Sequence, residues 1–151
     1  MSEGRKETQN LRTFDIGIKA WIKEADSIIQ THGYKTIVNY PSAAPIMDIP
    51  LLTFGAHTCY AGVAQSSKSG LWLFHFYDFN AFSSLVLAIG GIPINGVYGG
   101  IPHDVQRSGG DQFGGTALKL LSPKDPSLGG LNIIASGQEV LYAAGYYDPY
   151  D

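Results

Sequence analysis

The 151-residue chain has only one cysteine, Cys59. An intramolecular disulfide is therefore impossible, which predicts a cytoplasmic protein or a secreted effector that acts in a reducing host cytosol. The sequence also lacks any run of about eighteen apolar residues, the length that a membrane-spanning helix needs, so we expect no membrane span.

Basic residues are few and scattered. Ten lysines and arginines face thirteen aspartates and glutamates, which gives a net charge of -3. A surface of this kind does not follow a phosphate backbone, so we expect no nucleic-acid partner. The glycine-rich stretch of residues 96–115 lacks the ending of a phosphate-binding loop, and His103, Asp104 and Asp111 within it do not have the paired spacing of zinc ligands. We therefore expect no metal and no cofactor.

The length predicts one domain, at residues 15–151, preceded by a flexible tail at residues 1–14. Apolar residues at helical spacing predict a first helix that starts at an Asp15 N-cap and stops at Gly33. A shorter apolar segment, residues 81–89, predicts a second helix capped by Asn80.

Strand patterns fill much of the remainder. Residues 34–40 predict a strand, the prolines at 41, 45 and 50 predict an irregular crossing after it, and residues 132–136 and 139–144 predict a closing hairpin. The glycine-rich stretch predicts a flexible rim, and residues 146–150 a frayed end.

The hairpin predicted for residues 59–65 and 71–77 brings a thiol and an imidazole close together. With its turn centred near Lys68, Cys59 lies opposite Tyr77 and His75 opposite Ala61, so thiol and imidazole are diagonal neighbours on one face. This arrangement predicts a nucleophile with its base. The alternative is a core cysteine beside a core histidine, because free cysteine usually packs as a small hydrophobe.

The stretch Thr53-Phe54-Gly55-Ala56-His57-Thr58-Cys59-Tyr60-Ala61, with Gly70 and the later pair His75-Phe76, resembles the chemoreceptor glutamine deamidase (CheD) family. That family has Thr-Leu-Gly-x-Gly-Ser-Cys-x-Ala on one strand and His-Phe on the next. The catalytic domains of cytotoxic necrotizing factor toxins are similar. The resemblance covers residues 49–91 well and residues 131–145 loosely, and His57-Thr58 departs from its Gly-Ser pair.

The resemblance implies an α/β (α+β) fold, with a mixed, largely antiparallel sheet or sandwich flanked by helices. It implies a cysteine hydrolase that converts a glutamine of a target protein to glutamate, with release of ammonia through a thioester. Cys59 is then the nucleophile, His75 the base and Thr53 the residue that orients His75.

Two details of the expected site remain open. The oxyanion needs donors fixed in advance, and the backbone amides of Cys59 and Thr58, or another amide of the turn that begins at Gly55, can supply them. His57 is a second imidazole near the thiol and can compete as base. The rival functions are a non-catalytic protein-interaction module, and a transglutaminase or protease with the same Cys59 and His75 pair.

Overall fold

The structure, a computed structural model, describes residues 7–100, 111–126 and 129–151. Within this part the chain forms a mixed α/β fold of two mostly antiparallel sheets and two α-helices, which confirms the predicted fold class. The strands are β1 (Arg12–Asp15), β2 (Ser42–Pro45), β3 (Leu51–Ala56), β4 (Cys59–Ser66), β5 (Gly70–Tyr77), β6 (Asn95–Gly99), β7 (Leu118–Leu120), β8 (Leu131–Ser136) and β9 (Glu139–Ala144). The helices are α1 (Ile18–His32) and α2 (Ala81–Ile89).

The two sheets pack face to face. The first has the strand order β1-β9-β8-β3 and the second the order β2-β5-β4-β6-β7. Ile133 and Val140 of the first sheet share one buried cluster with Val63 and Leu73 of the second. This cluster is the core of a sandwich, because each contributing strand turns alternate side chains toward the opposite sheet.

A helix covers the outer face of each sheet. Trp21 of α1 packs against Leu52 and Ile134 of the first sheet, and Leu85 of α2 packs against Phe74 of the second. The layers therefore run helix, sheet, sheet, helix. No helix in the described ranges is both long and apolar enough to cross a membrane.

The start of the fold differs from the sequence prediction. Residues 12–14, predicted as part of a flexible tail, lie in β1, which pairs in parallel with β9 from Arg12 opposite Glu139. This pairing continues to Asp15, so α1 begins later, after Gly17, and the prediction of an Asp15 N-cap is wrong. The prediction that α1 stops at Gly33 is confirmed.

The strand predicted at residues 34–40 is also wrong. Tyr34–Thr36 forms a 3₁₀ turn, and Ile37 makes only a single bridge to Leu52. The proline-containing segment predicted to be irregular instead includes β2, which pairs with β5 at the edge of the second sheet. An edge strand tolerates proline because one side of its backbone needs no partner in the sheet.

The end of the chain is not frayed at Tyr147. This side chain is buried, makes an edge-to-face contact with Trp21 at 5.2 Å and donates a hydrogen bond of 2.7 Å to Asp26 Oδ1. Its packing on α1 makes residues 146–148 a wall beside the candidate site.

Other predictions agree with the structure. The hairpin of β4 and β5, helix α2 after Asn80, and the hairpin of β8 and β9 are confirmed. The glycine-rich stretch is in part regular, since it contributes β6 to the second sheet. His103 and Asp104 lie outside the described residues, and Asp111 accepts a hydrogen bond from the Tyr98 hydroxyl.

Candidate active site

The register of the β4 and β5 hairpin brings Cys59 and His75 to one face. Cys59 is opposite Tyr77 and Ala61 is opposite His75, as the sequence predicted. The two side chains are therefore diagonal neighbours, with Cβ atoms somewhat less than about 7–8 Å apart. Within the described residues no hydrogen bond joins them, and catalytic hydrogen bonds of this kind often tighten only in the complex with substrate.

Thr53 reaches the same place from the other sheet. Its Oγ1 lies 2.7 Å from His75 Nδ1 and also donates a hydrogen bond of 2.7 Å to the carbonyl oxygen of Val38. A threonine hydroxyl has one proton, and here that proton goes to Val38, because a carbonyl can only accept. Oγ1 must then accept from Nδ1, which makes Nδ1 the protonated nitrogen and leaves Nε2 with a free lone pair.

A bulge in β3 separates Thr53 from Cys59. Thr53 pairs with Ile133 and Ala56 with Leu131, so the strand carries one extra residue between these pairs. Gly55 supplies it with a φ of 70°, a conformation that suits glycine. After the bulge, Ala56 enters the core, while the next two residues form an exposed turn that leads into β4.

Asn132 holds this bulge in place. The side chain is fully buried, and its Oδ1 accepts a hydrogen bond of 3.0 Å from the Gly55 amide. Its Nδ2 donates to the carbonyl oxygens of Ala143 and Gly145, at 3.1 and 3.0 Å. The residue therefore ties β3 to the start of β8 and the end of β9. No sequence pattern pointed to Asn132, because its contacts link positions far apart in the chain.

The three predicted catalytic side chains open into one cleft of about 730 Å³. Its walls combine strand ends of both sheets with segments 38–40 and 145–148, and they include Tyr40, His57, Tyr77, Gly130 and Tyr146. The described residues that line it include no lysine or arginine, and their only carboxylate is that of Asp148. The cleft is therefore mostly aromatic and main-chain in character.

Burial keeps the thiol and the imidazole uncharged at neutral pH. It raises the pKa of Cys59 to about 11; a hydrogen bond with the Thr58 side chain lowers the pKa, and the Asp78 carboxylate adds to the rise. Burial also lowers the pKa of His75 to about 4. Both directions follow from the cost of a charge in a poorly solvated site. The resting pair is thus a thiol and a neutral imidazole.

Asp78 is a further polar residue of this region that the sequence did not indicate. It follows β5, is 2% exposed, and donates its backbone amide to the Thr58 carbonyl at 3.3 Å. That bond makes Cys59 and Tyr77 a non-hydrogen-bonded pair, so the Cys59 amide faces away from β5. Asp78 Oδ1 has no hydrogen-bond partner in the described part of the chain.

The remaining predicted residues lie around the mouth of the cleft. His57 and Thr58 are exposed on the turn before Cys59, and His57 does not share the Thr53 hydroxyl, which contacts His75. The Gly55 amide is occupied by Asn132, so it does not serve as an oxyanion donor. Tyr40, which the sequence analysis did not single out, packs its ring edge-to-face against the His75 ring at 6.2 Å.

Comparison with known proteins assigns no family to this chain. No protein-family model matches it, and no significant match was found among curated proteins or solved structures. The function of the cleft is therefore inferred from its own residues.

Proposed function

We propose that this chain is a cysteine-dependent protein glutamine deamidase in which Cys59 is the nucleophile, His75 the base and Thr53 the orienting residue. The observation that carries the proposal is the 2.7 Å contact between Thr53 Oγ1 and His75 Nδ1. The same hydroxyl donates its proton to the carbonyl oxygen of Val38. This arrangement fixes one imidazole tautomer and leaves Nε2 as a base. The resemblance of the Thr53 to Cys59 segment to the chemoreceptor deamidases supports the same assignment.

The first chemical step starts from neutral partners. As Sγ of Cys59 attacks the carboxamide carbon of the glutamine, His75 Nε2 accepts the thiol proton. The imidazolium that forms lies near the new oxyanion, so the two opposite charges stabilise each other as they develop. Neither charge has to exist in the buried resting site, which agrees with the raised pKa of Cys59 and the lowered pKa of His75.

The oxyanion needs hydrogen-bond donors that are already in place. The Cys59 amide is the first, because it faces away from β5. We assign the second to an amide of the exposed turn at residues 57–58. Both belong to the short segment between the bulge at Gly55 and the first residue of β4, so Asn132 positions them indirectly.

Collapse of the tetrahedral intermediate completes the acylation. The carbon–nitrogen bond breaks, His75 returns its proton to the leaving nitrogen, and ammonia departs from a thioester on Cys59. Water then attacks the thioester carbon while Nε2 accepts its proton. The carbon–sulfur bond breaks, the thiol regains a proton, and the product is a glutamate side chain.

A non-catalytic interaction module is the second candidate, and the burial of Cys59 favours it. Cys59 is only 8% exposed, and a buried cysteine with a high pKa is usually inert. Against this candidate, Cys59, His75 and Thr53 all line one open cleft, although Cys59 also packs in the buried cluster between the sheets. A histidine used only for packing has no need of such an opening.

The decisive experiment measures ammonia release and the amide-to-acid mass change in candidate target proteins. The wild-type chain should convert a specific glutamine, and Cys59→Ser should lose at least about a thousandfold in rate, because a hydroxyl is a much weaker nucleophile at this site. Cys59→Ala is the matched control for packing, and circular dichroism of all three proteins should agree. Full function in Cys59→Ser would favour the interaction module.

A further inference from the structure

We infer that the open edge of strand β3 at Phe54 binds an extended segment of the target protein as an added β-strand, with the glutamine side chain directed into the cleft toward Cys59. This inference rests on the proposed function and specifies its substrate: a glutamine in an extended segment, not in a helix. It starts from the strand order, in which β3 is an edge of the first sheet.

Part of this edge is already covered by the chain itself. Val38 donates its amide to the Leu52 carbonyl at 2.8 Å, and Ile37 forms a parallel bridge with Leu52. Beyond this point the pairing stops, because the Val38 carbonyl turns to accept the Thr53 hydroxyl instead of continuing along the strand. The edge therefore accepts a parallel strand, and the chain occupies only one residue of it.

The next edge position, Phe54, presents both main-chain groups. Thr53 pairs with Ile133 of β8, and the Gly55 amide bonds to Asn132 on the same side. Since neighbouring peptide groups of a strand point in opposite directions, the Phe54 N–H and C=O face away from β8. Among the described residues neither group has a hydrogen-bond partner.

The free edge position lies beside the catalytic residues. Phe54 lines the cleft, and the neighbouring Thr53 contacts His75. A donor and an acceptor spaced along a strand edge match the backbone of an extended peptide, which recurs in peptide recognition as strand addition. The cleft walls also fit this occupant, because they offer no described lysine or arginine for the carboxylate of free glutamine.

Selectivity for the peptide side chains near the glutamine then depends on the other residues around the opening of the cleft. Tyr40 and Tyr77 are 51% and 45% exposed, and their rings lie 6.2 Å apart. In an added strand, alternate side chains point to opposite sides. When the glutamine points to Cys59, the residues next to it point away, and the residues two positions away share its side near these rings.

Backbone methylation of a peptide tests the inference without altering the protein. The probe is a blocked heptapeptide with a central glutamine among alanines and valines, made as a series with one N-methyl group at each successive amide. Ammonia release by the wild-type protein should fall about tenfold or more for methylation at one particular amide, because the free carbonyl of Phe54 accepts a hydrogen bond from a single amide of the added strand. Methylation at the other amides should change the rate by less than about threefold.

Amide hydrogen exchange in the Cys59→Ala variant provides a readout that does not depend on turnover. Saturation with the unmethylated probe should slow exchange of the Phe54 amide about tenfold or more, because it gains a hydrogen-bond acceptor. The Gly55 amide is the internal control, since it is already bonded to Asn132 and should change little.

The outcomes separate the two claims. A protected Phe54 amide with no ammonia from any substrate would support strand addition and overturn the deamidase proposal. Ammonia release that no single methylation selectively lowers, without protection of the Phe54 amide, would overturn strand addition alone. Failure of the probe to bind also counts against strand addition.

Discussion

Buried polar side chains at the two ends of the hairpin of β4 and β5 differ in how fully the chain satisfies their hydrogen bonds. At the turn end, Gln65 is fully buried, and its amide group accepts from the Gln9 amide at 2.8 Å and donates to the Glu7 carbonyl at 2.7 Å. At the opposite end, His75 is 4% exposed and is bonded through Nδ1 to Thr53, while Nε2 has no partner among the described residues.

This difference separates two uses of a polar residue. A buried polar group is costly unless it is hydrogen-bonded, so polar groups that stabilise a fold are normally satisfied by the chain itself. Gln65 follows that rule by fixing the segment before β1 against the sandwich. Asp78 Oδ1 is buried with no hydrogen-bond partner in the described chain. His75 lines the cleft, and its Nε2 is not bonded by the described residues. A hydrogen-bond acceptor that the chain leaves unsatisfied beside a cleft is free to interact with a reacting substrate.

The largest contrast should come from replacing each of these two residues by leucine. His75→Leu should lower turnover about a hundredfold to ten-thousandfold, the usual contribution of a general base. Gln65→Leu should leave turnover within about threefold but lower the free energy of unfolding by about 1–3 kcal/mol, because two main-chain groups lose their partner. Ammonia release and urea denaturation measure the two effects.

Equal losses of turnover in the two variants would contradict this division. So would a His75→Leu protein with wild-type turnover, which would direct attention to His57 as the base. His57→Ala is the matched control, and it should retain most of the activity because the exposed imidazole has no contact with the Thr53 hydroxyl.

A smaller loss should follow from Thr53→Val, which keeps the shape and removes the hydroxyl. The imidazole then loses the group that fixes its tautomer, and the Val38 carbonyl loses its donor. A buried partner left unpaired costs about 1–3 kcal/mol, which corresponds to roughly tenfold to a hundredfold in kcat if the loss falls on the transition state. Steady-state kinetics should locate the loss in kcat more than in KM.

Thr53→Ser is the control that separates orientation from packing. It lacks the methyl group but keeps the hydroxyl, so it should recover most of the kcat lost in Thr53→Val. If serine is as poor as valine, the role of Thr53 is to fill space between the sheets.

Local patterns predicted the hairpin of the site well. Strand-forming residues on both sides of a turn fixed the pairing of Cys59 with Tyr77, and one pairing determines every other contact in the ladder. The relation of Thr53 to His75 came only from the resemblance. That contact depends on how the two sheets pack against each other, and the alternation of side chains within a single strand does not predict this packing.

Edges and termini were predicted poorly because their structure depends on distant partners. Residues 12–14 are exposed, yet they form a strand because β9 offers a free edge. Tyr147 is ordered by Trp21 and Asp26, more than a hundred positions earlier in the chain. Asn132 has the same character: its four hydrogen-bond partners lie on three segments that meet only in the folded state.

Stability should depend on pH through His75. Its pKa in the folded state is lowered from 6.5 to about 4, so as pH falls the unfolded chain binds the proton first. The free energy of unfolding should therefore decrease from about pH 6.5 to about pH 4, by up to about 3 kcal/mol. Urea denaturation of wild type and His75→Leu across this range isolates the contribution, because the carboxylates are common to both proteins. Parallel curves would contradict the buried, neutral imidazole.

The smallest effect concerns the reactivity of the resting thiol. Because burial raises the pKa of Cys59 to about 11 and His75 is already neutral, the thiolate population at neutral pH is small and is not maintained by an imidazolium partner. Labelling by iodoacetamide should therefore be slow at pH 7 and rise about tenfold per pH unit up to about pH 10, since the thiolate is the reactive form.

Replacement of His75 should hardly change this labelling profile. We expect the rates of His75→Leu to stay within about threefold of wild type at each pH, although its turnover is severely reduced, because His75 acts on the proton only when substrate is attacked. The control is an unfolded sample in urea, whose thiol should label with the pKa of an ordinary cysteine, about 8.5. A wild-type plateau that extends below pH 6 and disappears in His75→Leu would instead indicate a preformed thiolate–imidazolium pair. That result would move the first proton transfer from the chemical step into the resting state.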